Sequence, residues 1–161
     1  MIRRSKQPTP QGDIDLALIR AKIQAYCSRA EQCESSVRRK LAEWRVPACD
    51  AENLVAELID DGFIDERRYA AAFVHDRLRF GRCGRNKIRF ELRQKQISEK
   101  IVSEALATID EDEYVAILQT VAESKKRTLK ALEPAVQQRR LQSFLLSRGF
   151  ETEYIIRYNK K

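Results

Sequence analysis

The sequence predicts an all-α protein of three tandem three-helix repeats, and three observations predict it. Glycine and proline are scarce, 5 and 4 in 161 residues, where a chain of strands and turns needs more of both. Charged residues make up 34% and apolar residues 43%, with only 7% aromatic, a helix-forming, water-compatible balance with a modest core. One pattern also recurs. Leu41-Ala-Glu-Trp-Arg-Val46, Leu92-Arg-Gln-Lys-Gln-Ile97 and Leu145-Leu-Ser-Arg-Gly-Phe150 each carry a Leu, four residues and an apolar residue, at steps of 51 and 53 residues. Each closes the second helix of a trio, the mark of an internal repeat. A unit of about 50 residues has a marginal core alone, so stacking on a neighbour is expected to complete its burial in an elongated, curved array.

The elements follow from apolar spacing and terminal residues. Residues 1–12 hold two prolines and almost nothing apolar, and are expected to be a flexible basic tail. Repeat 1 is expected over 13–62. Leu16, Ile19, Ile23 and Tyr26 share one face of its first helix, Val37 and Leu41 mark a second over about 34–44, and a third runs from an Asp50 N-cap to Asp61. Gly62 stands where a glycine stops that helix. Repeat 2 is expected over 63–110. Its helices lie around Tyr69, Ala70, Phe73, Val74 and Leu78, then Ile88 and Leu92, then Ile101, Val102, Ala105, Leu106 and Ile109 behind a Ser98 cap. Repeat 3 is expected over 111–161. A long helix covers about 112–132, a second follows Pro134 at its first position and ends at Gly149, and Thr152 caps the last.

Several classes of function find no support. No run of 18 apolar residues could cross a membrane and residues 1–12 carry no secretory signal, so the expected address is the cytoplasm. Cys27, Cys33, Cys49 and Cys83 form no Cys-x-x-Cys, and the single histidine, His75, is not spaced from them as a metal ligand. No metal or cofactor is expected, and the thiols are expected to be reduced and partly buried. There is no phosphate-binding glycine loop and no nucleophile elbow. Acidic runs such as Asp60-Asp61 and 110–113 are explained by capping and solvation. The expectation is a protein that is not an enzyme.

Charge is the informative feature. Lys and Arg number 31 against 24 acids, a net charge of +7, which points to a polyanionic partner. Nine cations fall between Arg77 and Lys100, namely Arg77, Arg79, Arg82, Arg85, Lys87, Arg89, Arg93, Lys95 and Lys100, against Glu91 and Glu99 alone. Arg82, Arg85, Arg89 and Arg93 are spaced to line one helical stripe. The start of that helix, with Gly81 and Gly84 before it, is expected to receive a phosphate on backbone N–H groups. Weaker clusters are Arg38, Arg39, Lys40 and Arg45 in the first repeat, and Lys125, Lys126, Arg127, Lys130, Arg139, Arg140 and Arg148 in the third. Repeats stacked in register would join these into one track. The acidic stretches 50–65 and 104–113 would then mark the opposite surface or a contact with a basic partner. Phe63, Tyr69, Phe73 and Phe90 are expected mostly at inward positions and Trp44 in the core. Contact with a nucleic-acid backbone, or with a protein that carries one, is therefore expected rather than base reading.

The stretch Leu58-Ile-Asp-Asp-Gly-Phe-Ile-Asp-Glu-Arg-Arg-Tyr-Ala70, with Phe73-Val74, Arg77-Leu78, Gly84, Lys87-Ile88, Glu91-Leu-Arg-Gln-Lys95 and Ile97, resembles the bacterial RecX family of regulators of the RecA recombinase. Val37-Arg-Arg-Lys-Leu41 and Phe144-Leu-Leu-Ser-Arg-Gly-Phe150 resemble its first and third units. Gln96 stands where the family often has Gly, and Trp44-Arg45 replaces a similar turn, so the resemblance leaves those turns open. The resemblance implies a partner of the RecA filament on single-stranded DNA that inhibits ATP hydrolysis, strand exchange and coprotease activity, and, as in some members, direct binding of single-stranded or double-stranded DNA; the chain itself is expected to be a monomer. The family has no catalytic residues to carry over. The basic stripe is then the expected contact, and replacing Arg82, Arg85, Arg89 and Arg93 by Glu is expected to abolish filament binding while leaving helicity intact. The rival readings are a general DNA-binding or architectural protein that needs no recombinase, and a scaffold whose acidic patches bind another protein.

Overall fold

The computed structural model describes residues 15–160; the expected basic tail, 1–12, lies outside them. The described residues form nine helices in three trios: α1 (Leu16–Arg29), α2 (Glu34–Glu43) and α3 (Ala48–Asp60); α4 (Glu66–Arg79), α5 (Arg85–Gln94) and α6 (Glu99–Ala107); α7 (Glu111–Leu129), α8 (Pro134–Ser147) and α9 (Thr152–Asn159). The architecture is the expected helical repeat array. Asp15, Asp65, Ser98 and Asp110 cap α1, α4, α6 and α7 by accepting from N–H groups of the first turn, which satisfies donors that the helix itself leaves open. Pro134 opens α8 as expected.

Two expected caps are corrected. Helix α3 begins at Ala48 behind Pro47, so Asp50 lies in its first turn rather than at the N-cap; proline restricts the residue before it and is itself pre-set for a helix start. Thr152 is already helical and Glu151 precedes it without a side-chain cap, because the Glu151 carboxylate is spent on Tyr114 and Arg85.

The recurring Leu-x4-apolar pattern has a local cause. After α2, α5 and α8 the residues Arg45, Gln96 and Gly149 adopt φ of 58°, 63° and 89°. In each case the residue after the left-handed one donates its N–H back to the repeat leucine: Val46 to Leu41, Ile97 to Leu92 and Phe150 to Leu145. The left-handed residue itself donates to Ala42, Arg93 or Leu146. This is the Schellman closure, in which the apolar residue packs back on the last turn. All six apolar partners are buried. The turns that the resemblance left open therefore keep the glycine geometry without glycine at two of three sites. A side chain in that region costs roughly 1 kcal/mol, so Gln96→Gly is expected to raise stability by somewhat less than that, read as a rise in Tm of a few degrees.

The trios do not have three separate cores. Ile23, Cys27, Val37, Leu41, Val46, Ala51, Leu54, Val55, Leu58 and Ile64 form the first core. The second and third trios share a second core that runs from Tyr69 to Ile155 through Leu92, Tyr114, Leu145 and Phe150. Phe63 and Ile64, expected to open the second repeat, pack on the first core. Conversely, Cys33 of the first trio is buried in the second core. Ser35 Oγ donates to the Lys95 carbonyl at 2.7 Å and Arg68 pairs with Glu31 at 3.0 Å, which fastens α2 and the segment before it to the second trio. No described helix is long and apolar enough to cross a membrane.

Candidate nucleic-acid interface

Ile88 and Leu92 seat α5 on the shared core with no exposure of either, so the rest of the helix carries the basic residues past the surface. Most of the basic residues of α4 and α5 are not free. Arg77 forms a two-pronged pair with Glu91 at 2.6 and 2.5 Å. Arg79 does the same with Glu113 at 2.5 and 3.1 Å, and touches His75 Nε2. Arg89 and Arg93 share Glu99, and these cations hold its carboxyl below the usual carboxylate range. Arg38 pairs with Glu34 and Glu52 at 2.9 Å each, and Lys40 with Glu43. The acidic stretches thus do not face away from the basic ones: Glu52, Glu111 and Glu113 come to Arg38, Arg85 and Arg79.

Arg85 is a structural residue. Only 19% of its side chain is exposed. Its guanidinium lies 4.0 Å from the centre of the Tyr114 ring, 2.9 Å from Glu111, 3.5 Å from Glu151 and 3.1 Å from the Tyr154 hydroxyl. Tyr114, fully buried, donates its hydroxyl to Glu151 and accepts from the Arg85 N–H at 3.1 Å. Burial together with the Glu151 carboxylate pushes the Tyr114 phenol well above its ordinary pKa, so the hydroxyl keeps its proton.

The expected anion site at the start of α5 is corrected on the same ground. The Gly84 N–H donates to the Arg148 carbonyl at 2.8 Å and the Asn86 N–H to the Gly149 carbonyl at 3.0 Å. The C-terminal end of α8 therefore occupies the N-terminal end of α5, opposite ends of two helix dipoles in contact. The close approach that Gly84 permits is to this chain's own backbone: a Cβ on Gly84 would overlap Gly149 and the Phe150 nitrogen. Nor do Arg82, Arg85, Arg89 and Arg93 form one stripe. Arg82 precedes the helix at φ 50° and Arg85 points inward.

Among the described residues, Arg39, Arg82, Lys87, Lys95, Lys125, Arg139, Arg140 and Arg148 have no carboxylate within ion-pair distance. Arg148 instead donates to the carbonyls of Gly81 and Arg82. Two aromatic side chains join them. Phe80 is 77% exposed and Phe90 60% exposed, which overturns the inward expectation for Phe90. The signal was in the spacing: Phe90 stands half a turn from both Ile88 and Leu92, and one turn from Lys87 and Arg93. An exposed ring between cations is the surface on which an unstacked base rests. Trp44 is half-buried on the first core with Lys40 over its ring. Cys27, Cys33 and Cys83 are buried free thiols, while Cys49 is exposed. Among the described residues no group of three His, Cys, Asp or Glu side chains could hold a metal.

Comparison with known proteins agrees with the architecture. The profile described as RecX, second three-helix domain, matches residues 65–106, and that of RecX, third three-helix domain, matches residues 111–158. The regulatory protein RecX of Pelodictyon phaeoclathratiforme is 33% identical over 122 residues, 76% of this chain and 74% of the relative. That of Clostridium tetani is 33% identical over 127 residues, 78% of this chain and 58% of the relative. That of Levilactobacillus brevis is 29% identical over 128 residues, 80% of this chain and 48% of the relative. The chain thus spans about half to three quarters of the length of these relatives. A crystal structure of regulatory protein RecX is similar at TM-score 0.83 and 23% identity, over 91% of this chain and 72% of that one. RecX from Lactobacillus salivarius is similar at TM-score 0.78 and 21% identity, over 91% and 95%. These two likenesses carry the fold; the profile matches and the relatives at one-third identity carry the family. By both, the chain belongs to the RecX family.

Proposed function

We propose that this chain is a non-enzymatic, cytoplasmic regulator that binds the RecA filament on single-stranded DNA as a monomer. There it inhibits ATP hydrolysis, strand exchange and coprotease activity, which limits recombination and the SOS response. The observation that supports this best is the match of two successive trios to the second and third RecX domains, with relatives that are named regulatory proteins. The unpaired cations and the exposed Phe80 and Phe90 supply chemistry for the DNA within such a filament. The same surface favours a second reading, a DNA-binding protein that acts without recombinase.

One titration separates the two. RecA ATP hydrolysis on single-stranded DNA is followed while this protein is added well below one per recombinase monomer, with and without excess DNA. Inhibition at low ratios that excess DNA does not relieve is the expected result. No effect, or an effect erased by added DNA, would replace the filament reading by the DNA-binding one.

A further inference from the structure

The cations left without carboxylates are not all scattered. Three of them line one recess, of about 300 Å³, at the seam between the second and third trios: Arg82 from the α4–α5 turn, Lys125 from α7 and Arg148 from α8. Val121 and Phe144 line it as apolar residues, and Ser124 and Thr128 complete it. Among the described residues no acidic side chain lines it. Of the arginines between Arg77 and Arg93, 77, 79, 85, 89 and 93 have found carboxylates and Arg82 has not. Here three positive charges remain uncompensated around a concavity, where a low-dielectric wall strengthens their field.

The recess is also held in shape. Arg148 reaches across to the Gly81 and Arg82 carbonyls and so fixes the turn that presents Arg82. Arg82 is itself held at φ 50°, a conformation that a non-glycine residue adopts at a cost and that the surrounding contacts must enforce. The Lys125 ammonium stands 4.9 Å from the centre of the Phe144 ring, a cation–π contact that keeps it in the recess without neutralising it. Thr128 spends its hydroxyl proton on the Lys125 carbonyl. Ser124 has no such bond among the described residues and can donate to an incoming oxygen.

We infer that the Arg82–Lys125–Arg148 recess is a seat for one nucleotide of a single-stranded nucleic acid, its phosphate on the three cations and its sugar and base edge over Val121 and Phe144. The inference rests on the reading that this chain contacts DNA, and names where. A phosphodiester suits the cations because Arg82 meets phosphate oxygens with a planar fork, while Arg148, whose Nε and Nη2 donate to the Gly81 and Arg82 carbonyls, adds its charge. The apolar lining selects a single strand: a duplex keeps its bases stacked inside and offers that lining nothing but charge. The seat exists only when α8 is docked against the α4–α5 turn, so it belongs to the array and not to any one trio.

The test is direct binding of a labelled oligothymidylate to the full chain, without recombinase, for four variants. Arg82→Gly removes the cation and relaxes the backbone, so its Tm is expected to hold or rise while affinity falls roughly tenfold and the salt dependence loses about one phosphate contact. Lys125→Glu is expected to fall at least as far. Ser124→Leu fills the recess on an exposed helix position without a change of charge and is expected to weaken binding severalfold. Lys22→Glu, the same charge reversal on exposed α1, is expected to change affinity less than about threefold. Equal losses for Lys22→Glu and Lys125→Glu would overturn the seat in favour of a diffuse field. A duplex of equal length that binds as tightly with the same losses would overturn the single-strand assignment. Displacement of the oligonucleotide by an acidic peptide at equal charge concentration would reassign the recess to an acidic protein segment. Oligonucleotide binding that the variants lose, by a wild type that does not inhibit RecA, would leave the seat and remove the filament reading; RecA inhibition by the wild type with oligonucleotide binding unchanged in the variants would do the reverse.

Discussion

Gly84→Ala is expected to destabilise the protein by about 4 kcal/mol, of order 10 °C in Tm. The cause is steric rather than conformational. Gly84 has φ −76°, which alanine adopts freely. Its added Cβ would overlap Gly149 and the nitrogen of Phe150, and these are backbone atoms that no rotamer change can move. To make room, the end of α8 must leave the start of α5. That breaks the bonds from Gly84 to Arg148 and from Asn86 to Gly149, and opens the shared core around Phe150. Gly62→Ala is the useful comparison, since nothing lies within 4 Å of its added Cβ and only its φ of 75° opposes the change; it is expected to cost about 1 kcal/mol. Thermal unfolding followed by circular dichroism measures both. A loss below about 1 kcal/mol for Gly84→Ala would mean that the second and third trios are not joined at this point.

Arg85→Leu is the second large effect, expected at about 2–3 kcal/mol, below the full cost of breaking a buried pair because Glu111 is more than half exposed. The change leaves Glu151 and Glu111 facing one another without their cation and removes the guanidinium from the Tyr114 ring. Arg85→Lys is not expected to restore stability, because an ammonium cannot serve two carboxylates, a phenol and a ring face from one position. The variant also changes the response to acid. The Tyr154 hydroxyl and the Arg85 guanidinium hold the Glu111 carboxyl below the usual carboxylate range. A carboxyl with a lowered folded pKa adds stability above its unfolded pKa and loses it as pH falls through the folded value. The wild type should therefore lose Tm more steeply below the ordinary carboxylate range than Arg85→Leu does. Parallel acid limbs would show that this contact does not stabilise the fold. The fourfold replacement of Arg82, Arg85, Arg89 and Arg93 by Glu is consequently expected to damage the fold as well as binding; Arg82, Lys87, Lys125 and Arg139 carry charge without that burden.

The sequence by itself determined what depends on a few consecutive residues. The closure from Leu41 to Val46, from Leu92 to Ile97 and from Leu145 to Phe150 spans six residues each time, so its apolar ends repeat in plain view and reveal three trios. Gly62, Pro134 and Ser98 were legible for the same reason, since a cap is settled within one turn of helix. Even the exposure of Phe90 was written in its distance from Ile88 and Leu92. Only the tertiary structure decided which charges are spent. Arg79 meets Glu113, Arg85 meets Glu111 and Glu151, and Gly84 meets Gly149, across 34, 26, 66 and 65 residues of sequence. A cation's partner is whichever carboxylate the packing of another helix delivers to it, and no local pattern records that delivery. The densest basic stretch of the chain is thus largely neutralised from within, while the recess at the seam gathers Arg82, Lys125 and Arg148 from three distant segments. Its positive field is a property of how α7 and α8 dock against the α4–α5 turn, because Coulomb's law acts on distance in space and not on distance along the chain.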